Sequence, residues 1–129
     1  MVDTALADKK ILYVEDDEAS RYFMEMVIGE MGCALVLCAD GQQALEKIQA
    51  EKFDLIFMDI RMPKMDGYKT SQMIRKIDKE IPIVAITAYM RGQVSGMMLE
   101  CWDSGMNGIL AKPCSPEDIK SEVNRRLLR

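Results

Sequence analysis

Five short apolar runs alternate with five longer segments along this chain: Ile11 to Val14, Ala34 to Cys38, Leu55 to Met58, Ile83 to Thr87 and Ile109 to Ala111. No Ser/Gly/Pro-rich linker, repeat or low-complexity stretch breaks the alternation. The third and fourth runs lack polar alternation, as expected of parallel strands buried on both faces. Between the runs, apolar residues recur at helical spacing: Phe23, Met24, Val27 and Met31, then Ala44, Leu45 and Ile48, then Met73, Ile74 and Ile77. A fourth stripe, Val94, Met97, Met98 and Cys101, is weakened by Gly92 and Gly96, so a short or mobile helix ending near Gly105 is expected there. The last segment opens Ser115-Pro116-Glu117-Asp118, an N-cap with proline at the first helical position and a reciprocal cap from Asp118. Its stripe is Ile119, Val123 and Leu127, and Arg125, Arg126 and Arg129 sit where the helix dipole favours cations. Such alternation implies a three-layer, doubly wound α/β fold, (βα)5, with a parallel five-stranded sheet and right-handed crossovers. Strand order 2-1-3-4-5 is the commonest for this size and puts the switch point between strands 1 and 3.

A chain of 129 residues, 49% hydrophobic, has room for one domain spanning 1–129, with an ordered core over about 9–128 and a ragged start from Met1 to Asp8. Its net charge of −4 offers no basic excess, which argues against direct nucleic-acid binding. It contains no histidine, so Ser-His and Cys-His catalysis, His-ligated metals and a phosphohistidine carrier role are excluded within this chain. No apolar run is long enough to span a bilayer and no signal peptide is evident, so a cytoplasmic location without membrane insertion is expected. Cys33, Cys38, Cys101 and Cys114 form no C-x-x-C pair and read as buried reduced thiols.

In a parallel sheet all strands point one way, so the residues that follow them gather along one edge, where ligands of open α/β sheets bind. Strand 1 runs into Glu15-Asp16-Asp17, strand 3 into Asp59, strand 4 into Thr87-Ala88 and strand 5 into Lys112-Pro113. Strand 2 ends in Ala39-Asp40, where Asp40 reads as a helix cap. Carboxylates from strands 1 and 3 would meet across the switch point and need a cation or proton to offset their repulsion. Carboxylate oxygens with a backbone carbonyl and waters suit Mg²⁺, which also favours phosphate. Lys112 adds a point charge and Thr87 a hydroxyl, completing a pocket for a phosphoryl group with Asp59 as nucleophile. Asp17 and Glu18 read equally well as a solvated first helical turn.

With these residues in view, the chain resembles a receiver domain of a two-component response regulator, over nearly its whole length. The matching stretches are Ile11 to Asp17, the block Met58 to Gly67, Ile86-Thr87-Ala88, and Gly105 to Gly108 leading to Lys112-Pro113. Their order and spacing make the set specific, where any one piece would be weak. The resemblance implies a flavodoxin-like (CheY-like) fold and a phospho-accepting switch rather than a metabolic enzyme. It implies that Asp59 takes a phosphoryl group from a partner phosphohistidine with Mg²⁺ as cofactor, and that the domain catalyses its own phosphorylation and dephosphorylation. Asp16 would be a direct Mg²⁺ ligand, Glu15 one acting largely through water, with Asp59 itself and the backbone carbonyl of Arg61 completing the protein ligands. Lys112 and Thr87 would hold the phosphoryl oxygens. Ala88, Tyr89, Ile109 and Pro113 fall at switch or modulating positions, and the Lys112-Pro113 bond resembles the family's often cis peptide. Pro63 and Asp66-Gly67 would shape the loop into helix 3.

The same resemblance implies partners: a histidine kinase or histidine phosphotransfer protein as donor, and a downstream protein read through the face of helix 4, strand 5 and helix 5. A monomer is expected, with phosphorylation-dependent dimerisation left open. Leu99 and Trp102 fall off the helix 4 stripe as candidate contacts or as satellite packing. The wording around Met62 to Gly67 and Gly105 to Lys112 is similar to receivers at the end of hybrid sensor histidine kinases, and tilts the reading toward a domain excised from such a protein over a free-standing one. One departure stands out: where receivers commonly carry an aromatic switch residue, this chain has Ile109. Arg61 and Tyr89 lie two residues beyond Asp59 and Thr87, and both are bulky enough to slow hydrolysis of an acyl phosphate.

Three rival readings stay open. A haloacid-dehalogenase-type phosphatase also uses an Asp nucleophile, a lysine and Mg²⁺, but needs a second Asp where Arg61 stands. A flavodoxin-like nucleotide or flavin binder would carry a Gly-rich phosphate loop, and none occurs. A non-phosphorylated pseudo-receiver would act as a binding module only, although all acidic, hydroxyl and lysine positions are filled.

Overall fold

The computed structural model describes residues 4–62, 64–88 and 94–128; Pro63, Tyr89, Gly92 and Arg129, singled out above, lie outside them, as does the side chain of Val94. Strands β1 (Lys10–Val14), β2 (Ala34–Cys38), β3 (Leu55–Asp59), β4 (Ile83–Thr87) and β5 (Gly108–Ala111) alternate with helices α1 (Glu18–Met31), α2 (Gly41–Ala50), α3 (Gly67–Ile77), α4 (Val94–Asp103) and α5 (Pro116–Leu127). The sheet is parallel throughout, in the order β2-β1-β3-β4-β5. This is the expected doubly wound fold, with β1 and β3 adjacent at the switch point.

The apolar runs become strands because each side of the sheet needs cover. Alternate residues of β3 serve opposite layers: Ile56 and Met58 face the cluster built on α2, α3 and α4, and Leu55 and Phe57 face the one built on α1 and α5. All four are fully buried. Each such burial is worth roughly 1.5–3 kcal/mol relative to exposure, so β3 anchors the middle of the sheet and fixes where Asp59 emerges.

Short polar side chains set where the helices begin. Asp17, Asp40 and Asp66 cap α1, α2 and α3, accepting backbone amides of Ser20, Gln43 and Lys69. Ser115 and Asp118 form the anticipated reciprocal cap on α5. After α4, Gly105 takes a left-handed φ of 93°, which glycine reaches without steric cost. The Lys112-Pro113 bond is cis.

Several expectations need correction. Ahead of the expected core limit near residue 9, Leu6 is 1% exposed and joins the α1/α5 side, where a single 3₁₀ turn over Thr4–Leu6 places it. Ile77, placed on the α3 stripe, is exposed; α3 ends there, and Ile81 beyond it fills the core instead. Helix α4 spans ten residues and ends at Asp103, just before Gly105. Cys33, Cys38 and Cys101 are buried free thiols, whereas Cys114 is only half-buried, lying in the loop that leads into α5.

Candidate functional site

Four strand ends deliver the candidate residues to one edge of the sheet. Asp59 is the last residue of β3 and 6% exposed. Glu15 directly follows β1 and is buried, while Asp16 next to it is exposed. Lys112 follows β5 and is half-buried. Its ammonium lies 3.7 Å from Asp59 Oδ2 and pairs more closely with Glu15 Oε1. One ligand oxygen from each of Glu15, Asp16 and Asp59 lies within 4.8 Å of the others. The expected convergence of acidic groups and lysine is therefore present.

The backbone beneath the site is held firmly. The Glu15 amide donates to the Cys38 carbonyl at 2.9 Å and the Lys112 amide to the Thr87 carbonyl at 2.9 Å, continuing the ladder past the ends of β1 and β5. Arg21 Nη1 reaches back from α1 to the Glu15 carbonyl at 2.7 Å. Gly67, at the start of α3, passes so close that a Cβ would lie 2.5 Å from the Asp59 carbonyl oxygen, and its amide donates to Ile60 at 2.8 Å. Any side chain there would push the strand end that carries Asp59.

Glu15 gathers more partners than its position alone suggested. Tyr13 donates its hydroxyl to Oε1 at 3.0 Å, and the Asp17 amide donates to Oε2 at 3.2 Å. Asp59 Oδ1 receives the Arg61 amide at 3.3 Å. It is thus the backbone of Arg61 that bonds Asp59, while the Arg61 side chain is exposed. Thr87 is fully buried one step along β4 from Ile86, the register partner of Asp59, and its hydroxyl donates to the Ala88 carbonyl at 3.3 Å. Ala88 and Pro113 are exposed. Ile109 is half-buried and packs on the cluster beneath α2, α3 and α4. Asp17 behaves as the helical-turn reading has it, capping α1, and its hydrogen bonds with Ser20 lower its carboxyl pKa.

The electrostatics follow from burial and crowding. Burial, then the neighbouring Glu15, push the Asp59 carboxyl up to about 7, against a weaker opposing pull from Lys112. Burial also acts to raise Glu15, but hydrogen bonding with Asp59 and Lys112 overcomes it and leaves Glu15 below the ordinary value. Burial works against the Lys112 ammonium, yet Glu15 and Asp59 hold its pKa above the usual lysine value. The Tyr13 phenol is raised well beyond its usual value by burial first and Glu15 second, so it stays a donor. Two carboxylates with a third beside them and one ammonium are short of positive charge. The donor set is all oxygen, which suits a hard divalent cation such as Mg²⁺.

Tyr13 and Arg21 are the site-shaping residues that the sequence reading passed over. Tyr13 carried a signal: residues two apart on a strand share a face, so a phenol two positions before Glu15 points to the same side. Arg21 carried none, since its reach depends on how α1 packs.

A family profile described as "Response regulator receiver domain" matches residues 11–124. The transcription factor SKN7 of Chaetomium thermophilum is 36% identical over 124 residues, covering 93% of this chain but 16% of SKN7. Among solved structures, the chemotaxis protein CheY4 of Vibrio cholerae superposes with a TM-score of 0.87 at 30% identity, covering 94% of this chain and 100% of that one. The receiver domain of the sensor histidine kinase PA1611 of Pseudomonas aeruginosa, with magnesium coordinated in its active-site cleft, gives a TM-score of 0.83 at 32% identity over 94% of this chain and 98% of that one. The chain belongs to the response regulator receiver domain family of two-component phosphorelay signalling. It spans about a sixth of the length of the SKN7 relative.

Proposed function

We propose that this domain is a phosphorylation switch in which Asp59 accepts a phosphoryl group from a phosphohistidine on a histidine kinase or histidine phosphotransfer protein. What carries the reading is the placement of the Lys112 ammonium, 3.7 Å from Asp59 Oδ2 and in contact with Glu15, at the edge where three carboxylates converge. A cation-poor cluster of this kind is suited to binding a metal-bound oxyanion. Glu15, Asp16 and Asp59, with the Arg61 carbonyl, are the groups that would hold Mg²⁺. When bound, Mg²⁺ supplies positive charge that keeps Asp59 ionised and offsets charge on the phosphoryl oxygens.

In the transfer, an Asp59 oxygen forms a bond to phosphorus as the bond from phosphorus to the donor's imidazole nitrogen breaks, and the imidazole leaves, taking a proton from solvent. Lys112 turns from the carboxylates to the phosphoryl oxygens, and Thr87 exchanges its Ala88 partner for one of them. Movement of Thr87 changes the room available to Ile109, an aliphatic residue that repacks rather than swings. The added charge then shifts a two-state equilibrium of the α4–β5–α5 face, where Leu99 and Trp102 are exposed at 65% and 44%. On this reading the domain is a signalling element that catalyses its own phosphorylation and dephosphorylation, with Arg61 and Tyr89 slowing water's access to the acyl phosphate.

The test is to incubate the protein with Mg²⁺ and acetyl phosphate or phosphoramidate and measure intact mass. Gain of one phosphoryl group by wild type but not by Asp59→Ala is the expected result. Labelling at another residue, or none at all, overturns the reading, and multiple turnover of assorted phosphate esters favours the phosphatase. Acyl phosphate lifetimes in wild type and in Arg61→Ala with Tyr89→Ala test the shielding, which unchanged lifetimes would remove.

A further inference from the structure

Tyr13 plays no part in the function as proposed, yet it is bonded to the middle of the site. Its ring is 2% exposed and packs in the α1/α5 core, which fixes where the hydroxyl points. That hydroxyl lies 3.0 Å from Glu15 Oε1, the same oxygen that Lys112 contacts, while Oε2 takes the Asp17 amide at 3.2 Å. Glu15 is thus a buried carboxylate whose Oε1 has two donors of different kinds. Lys112 is an ammonium on a flexible stem, shared with Asp59 and, in the function proposed above, required by the phosphoryl oxygens. Tyr13 is a rigid ring with its hydroxyl already in place, so little side-chain freedom remains to be lost.

A buried carboxylate oxygen left without a donor carries a large desolvation penalty and tends to move. Once Lys112 turns to the phosphoryl group, the Tyr13 hydroxyl is what still satisfies Oε1. We propose that Tyr13 is a positioning residue: its hydroxyl holds Glu15 in the place where it serves the metal, and takes over Oε1 when Lys112 leaves. The proposal rests on the Mg²⁺-dependent phosphoryl-transfer reading of the site and adds a residue to it.

Tyr13→Phe removes the donor and keeps the ring. Binding is followed by calorimetric titration with MgCl₂ alone on wild type, Tyr13→Phe, Lys112→Met and the double variant, and the melting temperature of each metal-free protein in EDTA monitors packing. Tyr13→Phe is expected to weaken Mg²⁺ binding about tenfold, in line with the usual effect of losing a group that orients a metal ligand. The loss is expected to be larger in the Lys112→Met background, where the hydroxyl is the remaining side-chain donor to Oε1. Equal affinities for wild type and Tyr13→Phe overturn the proposal. So does a lowered melting temperature with unchanged affinity, which is the outcome of a packing role alone, and so does an identical loss in both backgrounds, which removes the exchange with Lys112. Wild-type protein that binds no Mg²⁺ fails the underlying functional reading itself, a result distinct from these.

Discussion

The two ends of the sheet use charge in opposite ways. At the carboxyl ends of the strands, Glu15, Asp16 and Asp59 crowd together with Lys112 as their ammonium partner, and Asp59 resists ionisation. At the amino ends, charged groups tie loops to strands. Lys10 pairs with Glu51 at 2.7 Å and lies 5.1 Å from the centre of the Phe53 ring, while its amide donates to Asp54 at 2.8 Å. Arg75 of α3 reaches Gly105 O and Asn107 Oδ1, both at 2.8 Å, and Arg126 of α5 reaches Asn107 O at 3.1 Å. The Asn107 side chain also accepts the first amide of β4 at 2.9 Å. One end has charges matched within the protein, and the other leaves three carboxylates gathered around one ammonium. On the function proposed above, stability and function are thereby segregated along the strands.

This contrast predicts substitutions of opposite sign. Asp59→Asn should stabilise the metal-free protein, because folding raises the Asp59 pKa from 3.8 to about 7. Between those values the folded state holds a proton at Asp59 that the unfolded state has released, so the Asp59 contribution to native stability falls as pH rises from about 4 to about 7. The cost persists above that window. The gain from Asp59→Asn should therefore be largest near pH 8, on the order of 4 kcal/mol, smaller at pH 5 and lost near pH 3, as urea unfolding in EDTA would show. The variant should also lack the stabilisation by Mg²⁺ that the proposed function expects of wild type; an Asp59→Asn protein less stable than wild type at pH 8 breaks the contrast. Arg75→Ala at the other end should destabilise by about 2 kcal/mol, since partly buried carbonyls lose a charged donor, with Mg²⁺ affinity unchanged by calorimetry. Glu122→Gln should destabilise by about 1 kcal/mol. This buried carboxylate pairs with Arg125 at 2.7 Å and Arg126 at 3.1 Å, and the neutral amide keeps the shape without the charge. Lys10→Met should cost at most about 0.5 kcal/mol, because its pair with Glu51 is a third exposed on each side. Thermal unfolding at 0.1 M and 1 M salt sharpens that last case, as the difference from wild type should shrink at high salt.

How much of this could be read beforehand depends on what each residue's position is relative to. The uninterrupted run before Asp59 places that carboxylate at a buried strand end, and strand direction brings Lys112 to the same edge; both follow from alternation along one chain. The α5 cap is equally local, since Ser115, Pro116 and Asp118 lie within one turn. Ile77 is different, for the helical period continues through it while the helix itself stops, and only the position of Ile81 reveals which residue fills the core. Leu6 needed a tertiary docking site that no local pattern announces. Within the site, Tyr13 sat unnoticed among apolar strand residues because its ring belongs to the core and its hydroxyl to the chemistry. Thr87 illustrates the reverse: its place on β4 is plain, but its hydroxyl bond to Ala88 is set by rotamer rather than by sequence.

The rungs that extend beyond β1 and β5, Glu15 to Cys38 and Lys112 to Thr87, rivet the floor of the basin. Amide protons of Glu15 and Lys112 should then exchange with deuterium on the slow timescale of the interior, despite lying next to solvent-facing loops.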